Sequence, residues 1–360
     1  MDFYADTLLR NIGKVYILPQ SRSTEYRFLH QQLTSLLIQT KSGEIDRQKA
    51  AENFNNILSK LKKSPPREGR AGERISVILD MLNPRGFSPK RILDVGAGTS
   101  DITLALKTHY NLPSTEVFAI DQKLPTVIDV TALTYVDGKI PLADCSIDLV
   151  IMFVVLHHIP PQYRDNIIAE IARVLSPDGV FIIREHDNDN TPEFYVFLDM
   201  IHIFWYLAFN ETPDPLYLLS RTETQELMKQ HGLESAAYNT YTVSNPQRLY
   251  HEMFIKKPVN APYKFKDISA QSTIQAYLDK FRLSPRNYES FTNLVPLRLQ
   301  QGIINNHQTV IQTNISSIWP DITKEIGLSI ILHAVKCSPL VNGTYEISSD
   351  AINQAIVNLS

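Results

Sequence analysis

The sequence predicts an α/β fold, a parallel sheet with helices on both faces, set between helical extensions. Three observations predict it. Arg91 to Asp101 reads as a short buried strand, a glycine turn and the start of a helix. Apolar runs and helical patterns then alternate as far as Arg184. The run Ile147–Val154 is almost wholly apolar, as a strand covered on both faces should be.

Residues 1–75 look helical and polar. Phe28, Leu29, Leu33, Leu36 and Leu37 fall at helical spacing between Tyr26 and Thr40. Ala50, Phe54, Ile57, Leu58 and Leu61 repeat the pattern between Arg47 and Lys62. Ser64 to Arg70 combines proline, glycine and charge and breaks it. A helix over Ala71–Leu82 leads into the first strand. Lys60, Lys62, Lys63, Arg67 and Arg70 read as a solvated helix end and linker, with an anion-binding patch as the alternative.

The first strand is 91–95, with Ile92, Leu93 and Val95 buried. Gly96 and Gly98 let the backbone turn tightly and approach a ligand. Thr99, Ser100 and Asp101 are N-cap candidates for a helix running to Tyr110. Further strands are expected at 116–121, 131–135 and 147–154, then a helix at 162–175. Ser176-Pro177-Asp178-Gly179 reads as a turn. The fifth strand, 180–184, ends in Glu185-His186-Asp187. Thr222 and Gln225 suit a capping box for a helix reaching Gly232, and strands are expected at 234–242 and 248–256.

The turn also selects its ligand. A dinucleotide fold wants glycine or alanine three residues after Gly98, and Asp101 stands there. Asp94 adds a second carboxylate just before the turn. Two acids repel a pyrophosphate and attract an ammonium or a sulfonium. That chemistry points to S-adenosylmethionine. Asp121, closing the apolar run Val117–Ile120, fits the acid that hydrogen-bonds ribose hydroxyls. A bare strand-to-helix turn with surface acids is the bland alternative.

Six segments then occur in order: Asp94-Val95-Gly96-Ala97-Gly98, Asp121, Asp137 to Leu142, Ser146 to Val150, Leu156-His157-His158 and Val174 to Gly179. Together they resemble the class I S-adenosylmethionine-dependent methyltransferases, within them the methyltransferase domain 11-like group, over about residues 75–257. The resemblance implies a Rossmann-like seven-stranded methyltransferase sheet closed by an antiparallel edge hairpin. It implies that Asp94, Gly96, Ala97 and Gly98 shape the pocket for the cofactor's methionine part. It further implies that Asp121 holds the ribose, that Asp137 and Gly138 lie beside the adenine, and that Phe153 lines the site. Core packing is the other account of Phe153.

The domains expected are a helical N-terminal extension over 1–75, a methyltransferase domain over 76–257 with an insertion at 191–219, and a mostly helical C-terminal accessory domain over 263–360. The insertion is densely apolar and aromatic, yet too short and polar, with Asp199 and His202, for a membrane span. It reads equally as a cover over the active site, including Phe204 and Trp205, or as a core helix joining a neighbouring domain. Helical patterns at 274–281 and 326–335 carry no catalytic motif and suit a substrate adaptor or a dimerisation element.

His157, His158 and His186 fall at carboxyl ends of strands, where ligands of open α/β sheets bind. Each is a catalytic candidate, and His186 leads because Glu185 and Asp187 flank it and raise its basicity. A metal site from Glu185, His186 and Asp187 is disfavoured, because adjacent residues seldom point at one ion and no distant partner is evident.

After the fourth strand stands Phe153-Val154-Val155-Leu156, where base-amino methyltransferases resemble one another in Asn/Asp-Pro-Pro-aromatic. The Asp of the ribose methyltransferases' Lys-Asp-Lys-Glu tetrad is missing too. A small-molecule acceptor, or an unusual RNA end, is therefore expected over those two classes. An RNA-cap or other RNA methyltransferase of viral type is the alternative, because the terminal segments exceed what a small-molecule enzyme needs. A non-catalytic scaffold is a third reading, opposed by the presence of Gly96, Gly98 and Asp121. Asp101 opposes a nicotinamide oxidoreductase.

The chain has 360 residues, a net charge of -3 and 43% hydrophobic residues, which suits two or three soluble domains and gives no global attraction for nucleic acid. Its two cysteines, Cys145 and Cys337, show no metal spacing and suggest a reducing, cytoplasmic setting. No secretory signal is apparent at the start.

Overall fold

The computed structural model describes residues 1–64, 71–122, 124, 129–239, 246–256, 263–266, 273, 276, 330–331, 333–338, 340–341 and 344–359. Two units divide the chain. One comprises Met1–Pro141, Leu149–Glu170 and Phe181–Ile255; the other comprises Leu142–Asp148, Ile171–Val180 and Lys256–Ser360.

The first unit opens with helices α1 (Asp2–Ile12), α2 (Thr24–Ser42) and α3 (Arg47–Leu58), with the short strands β1 (Tyr16–Ile17) and β2 (Lys62–Lys63) paired antiparallel. Ser23 and Asp46 cap α2 and α3 by accepting from the backbone N–H of Tyr26 and Lys49. After α4 (Ala71–Leu82) come β3 (Ile92–Val95), α5 (Asp101–Tyr110), β4 (Val117–Ile120) and β5 (Thr131–Leu133). Then follow β6 (Ile147–Phe153), α6 (Pro161–Val174), β7 (Leu175–His186), α7 (Pro192–Ala208), α8 (Arg221–Gln230), β8 (Leu233–Asn239) and β9 (Leu249–Lys256).

One seven-stranded sheet has the order β5-β4-β3-β6-β7-β9-β8. β3 pairs parallel with β4 and β6, and β4 with β5. The order reverses between β3 and β6, which places a crevice at the carboxyl ends of those strands. All four residues of β3 and of β4 are buried, so helices must cover both faces. β9 lies between β7 and β8, so the final strand inserts before its predecessor.

Three local expectations are corrected. Ser176 to Gly179 does not turn; it belongs to β7, which begins at Leu175. The capping box of α8 is Ser220 with Glu223, one register earlier than Thr222 with Gln225. Ser100 precedes α5 with φ 61 and makes no side-chain cap bond.

α7 explains the helical extension. It is apolar on nearly every side, with eleven buried residues, and such a helix must be covered all round. α1, α2 and α3 supply that cover. Leu8, Leu33, Phe54, Phe197 and Phe204 share one core with it, all fully buried. Tyr4 stacks on Phe197 at 4.4 Å, and Phe204 meets Tyr16 and Phe54 at 6.3 and 6.2 Å. Arg47 of α3 grips the buried Asp199 with its Nε, 2.9 and 3.0 Å from the two carboxylate oxygens. Its other nitrogens donate to the carbonyls of Pro213 and Asp214. Of the two accounts of the insertion, the packing favours the core helix: Phe204 belongs to the helical core, while Trp205 stacks on Phe209.

In the second unit Cys145 and Cys337 form a disulfide with Cα atoms 6.0 Å apart. The two cysteines therefore give no ground for a reducing setting. The described C-terminal residues include a three-stranded sheet, β10 (Tyr263–Phe265), β12 (Thr344–Ile347) and β11 (Leu340–Val341) in that order, and helix α9 (Ser349–Leu359). The patterns at 274–281 and 326–335 fall largely outside the described residues. No described helix is long and apolar enough to cross a membrane.

Phe204→Ala removes a fully buried ring from this core, and the expected cost is about 3–5 kcal/mol of folding stability by urea denaturation. Native stability in the variant would instead return Phe204 to a cover over the site.

Candidate functional site

The turn after β3 is built by two backbone bonds and one bond to a carboxylate. Gly96 and Ala97 donate their N–H groups to the Ile120 carbonyl at 2.8 and 3.3 Å. Gly98 donates its N–H to Asp121 Oδ2 at 2.8 Å. These bonds draw the carboxyl ends of β3 and β4 together. Gly96 has φ +76 and Gly98 φ +51, conformations that favour glycine. Among the described residues a Cβ on Gly98 meets nothing within 4 Å, whereas a Cβ on Gly96 would lie 2.3 Å from Val155 Cγ2. The need for glycine at 96 is thus packing against the turn after β6, before any ligand is considered. This packing adds to the tight turn and the ligand's approach that the glycines imply in the sequence.

Asp94 is buried at 3% exposure and accepts a hydrogen bond from Thr103 Oγ1 at 2.5 Å. Burial, with the Asp121 carboxylate adding to it, pushes its pKa up to about 7 despite the Thr103 bond. Asp137 and Gly138, with φ 51 and 75, form the exposed two-residue turn between Val136 and Lys139. Phe153 is half-buried and meets His251 edge to face at 5.5 Å.

Beyond β6 the chain bends sharply. Val154 has φ 62, a strained conformation for a β-branched residue. Its N–H donates to the Arg184 carbonyl at 2.7 Å. Glu185, buried at the end of β7, accepts on Oε1 from the N–H groups of Val155 and Leu156 at 2.9 and 2.8 Å. Its Oε2 lies 2.6 Å from His157 Nδ1. The carboxylate therefore fixes the bend that sets Val155 against Gly96.

The three sequence-selected histidines sit close together. His157 and His186 are 2% and 3% exposed, and burial holds both well below the ordinary imidazole range. His158 is half-buried, its pKa lowered to about 3 by burial and then by His157 and His202. The flanking acids do not make His186 basic, which corrects the reason for preferring it. Glu185 directs its side chain to His157, and Asp187 Oδ1 accepts from the N–H of Arg221 at the start of α8. His186 Nδ1 instead donates to the Gln247 carbonyl at 2.7 Å. His202 joins this group from α7, with ring centroids 4.9 Å from His157 and 5.4 Å from His186. It stood in the sequence only as a polar interruption of an apolar helix.

Residues 93–183 match the family described as "Methyltransferase domain". The malonyl-[acyl-carrier protein] O-methyltransferase of Xylella fastidiosa is 31% identical over 120 residues, 31% of this chain and 39% of that protein. A tRNA N(3)-cytidine methyltransferase of Gallus gallus is 26% identical over 164 residues, 41% of this chain and 43% of that protein. The chain spans about half or less of the length of these curated relatives. Among solved structures, a 1,6-didemethyltoxoflavin-N1-methyltransferase of Burkholderia thailandensis is 15% identical with a TM-score of 0.38, covering 68% of this chain and 95% of that one.

Asp94 sets a pH dependence with a definite sign. Its folded pKa stands above the unfolded value, so the folded state keeps a proton that the unfolded chain has released. Its contribution to stability is full below about pH 4 and is lost as pH rises through about 7. Urea unfolding between about pH 5 and pH 8 should show wild type losing about 2–3 kcal/mol relative to Asp94→Asn. Parallel curves for the two proteins would contradict the buried, proton-holding carboxyl.

Proposed function

We propose that this chain, a member of the class I S-adenosylmethionine-dependent methyltransferases through residues 93–183, binds S-adenosylmethionine and moves its methyl group to a small-molecule acceptor. The observation that carries the proposal is the glycine turn between β3 and α5. It opens at the strand-order reversal, carries an acid on either side, and among the described residues leaves the space above Gly98 clear. Asp94, Gly96, Ala97 and Gly98 would hold the cofactor's methionine part, and Asp121 its ribose. Asp137 and Gly138 would flank the adenine, and Phe153 would line the wall.

Methyl transfer is an in-line displacement at the sulfonium carbon. Alignment supplies most of the acceleration, and a base is needed only where the acceptor must lose a proton. Of the three candidate imidazoles, His158 alone is more than slightly exposed. It is neutral at physiological pH and suits a hydrogen bond to the acceptor. The absence from Phe153-Val154-Val155-Leu156 of an Asn/Asp-Pro-Pro-aromatic pattern favours the small-molecule class over a base amino group.

Isothermal titration should show binding of S-adenosylmethionine and S-adenosylhomocysteine and none of NAD. Asp121→Ala should weaken both by about 1–3 kcal/mol, the loss expected for a hydrogen bond to a charged group. Binding of NAD in preference would overturn the cofactor assignment. Incubating cell extract with a labelled methyl donor should place the label in the small-molecule fraction. Label found in RNA alone would overturn the acceptor class.

A further inference from the structure

Three imidazoles from three elements converge in one dry place. His157 follows β6, His186 closes β7, and His202 lies within α7; their exposures are 2%, 3% and 7%. One ring nitrogen of each lies within 4.8 Å of the others.

The hydrogen bonds decide which nitrogens face inward. His186 Nδ1 donates to the Gln247 carbonyl and His202 Nδ1 to the Leu198 carbonyl, both at 2.7 Å. A carbonyl only accepts, so both Nδ1 atoms carry the proton. His157 Nδ1 faces Glu185 Oε2 at 2.6 Å. All three rings are buried, and burial favours neutral imidazoles. In His186 and His202 the lone pair therefore sits on Nε2, and with Glu185 Oε2 accepting from His157 Nδ1 it sits there in His157 as well. Yet His157 Nε2 lies 3.1 Å from His202 Nε2, and His186 Nε2 is buried with no hydrogen-bond partner among the described residues. A single shared proton relieves the first contact and leaves the second atom unsatisfied. A cation placed among the three satisfies every nitrogen.

We propose that His157, His186 and His202 form a three-histidine site for a divalent transition metal ion, zinc by preference. Neutral imidazoles without thiolates suit that class of ion, and three ligands leave a fourth tetrahedral position for water or another small ligand. The separation of 3.1 Å approaches the roughly 3.3–3.4 Å that metal–nitrogen bonds of about 2.0–2.1 Å impose at a tetrahedral centre. The outer partners fit as well. Metal-bound histidines characteristically donate their other N–H to a carboxylate or a carbonyl, and all three rings here face one or the other. The ion would tie α7 to the carboxyl ends of β6 and β7. None of the three ligands belongs to the glycine turn, so the ion and the cofactor are titrated separately.

The test uses full-length protein without a histidine tag, stripped by chelator and reloaded with zinc sulfate or cobalt chloride. Elemental mass spectrometry should find one zinc ion per chain. The cobalt form should show the visible d–d bands of a tetrahedral nitrogen site with no thiolate charge-transfer band. His186→Ala and His202→Ala should each lose the ion, while His158→Ala keeps it. Glu185→Gln should bind zinc about 10–100-fold more weakly, as expected for an outer partner. Should the alanine variants fail to fold, the cobalt spectrum of the wild-type protein decides alone. Wild type that takes up no stoichiometric zinc and gives no tetrahedral cobalt bands would overturn the proposal. So would folded His186→Ala and His202→Ala that keep wild-type zinc content. Titration with S-adenosylhomocysteine on the same samples reports separately on the cofactor site.

Discussion

The Glu185 carboxylate fastens the carboxyl end of the sheet. It is buried, and its oxygens meet two backbone N–H groups after β6 and one imidazole. Those bonds compensate for its desolvation and hold the left-handed bend at Val154. The bend presses Val155 against Gly96, so the turns after β3 and β6 are packed as one piece. Removing the carboxylate would take the acceptor from the N–H groups of Val155 and Leu156 and free the bend. The placement of the glycine turn is therefore a consequence of β7 as much as of β3.

The same strand end meets the helical extension through α7. A helix so apolar cannot stand beside a sheet with one face in water, and α1 to α3 remove its outer face from solvent. Arg47 adds direction to this packing, because its guanidinium is matched to the Asp199 carboxylate and to two carbonyls at once. His202 is carried on the same helix, so the docking that buries Phe197 and Phe204 also delivers an imidazole to His157 and His186. The N-terminal helices thus contribute to the site without touching it.

Much of this was legible in the sequence because it is written in local pattern. The strands at Ile92, Val117 and Ile147 announce themselves by continuous apolar runs, and the turn at Gly96 and Gly98 by its glycines and acids. Periodicity marked α2 and α3 at Leu33 and Phe54. What escaped is what needs distant residues. The strand character of Ser176 to Gly179 runs against Pro and Gly preference, and tertiary pairing overrides that preference. The bend at Val154 has no sequence signal, since a β-branched residue disfavours it. The meeting of Cys145 with Cys337 spans 192 residues, and no spacing rule could announce it. The partner that His186 lacked in sequence, His202, arrives only when α7 folds back.

Hydrogen–deuterium exchange with and without S-adenosylhomocysteine tests the central claim, that the packed turns after β3, β4 and β6 make the cofactor site. The account predicts slowed exchange in peptides covering Gly96 to Ser100, Ile120 to Asp121 and Val154 to Leu156, with α1 to α3 unchanged. Protection confined to other segments, with these three unaltered at saturating ligand, would contradict it.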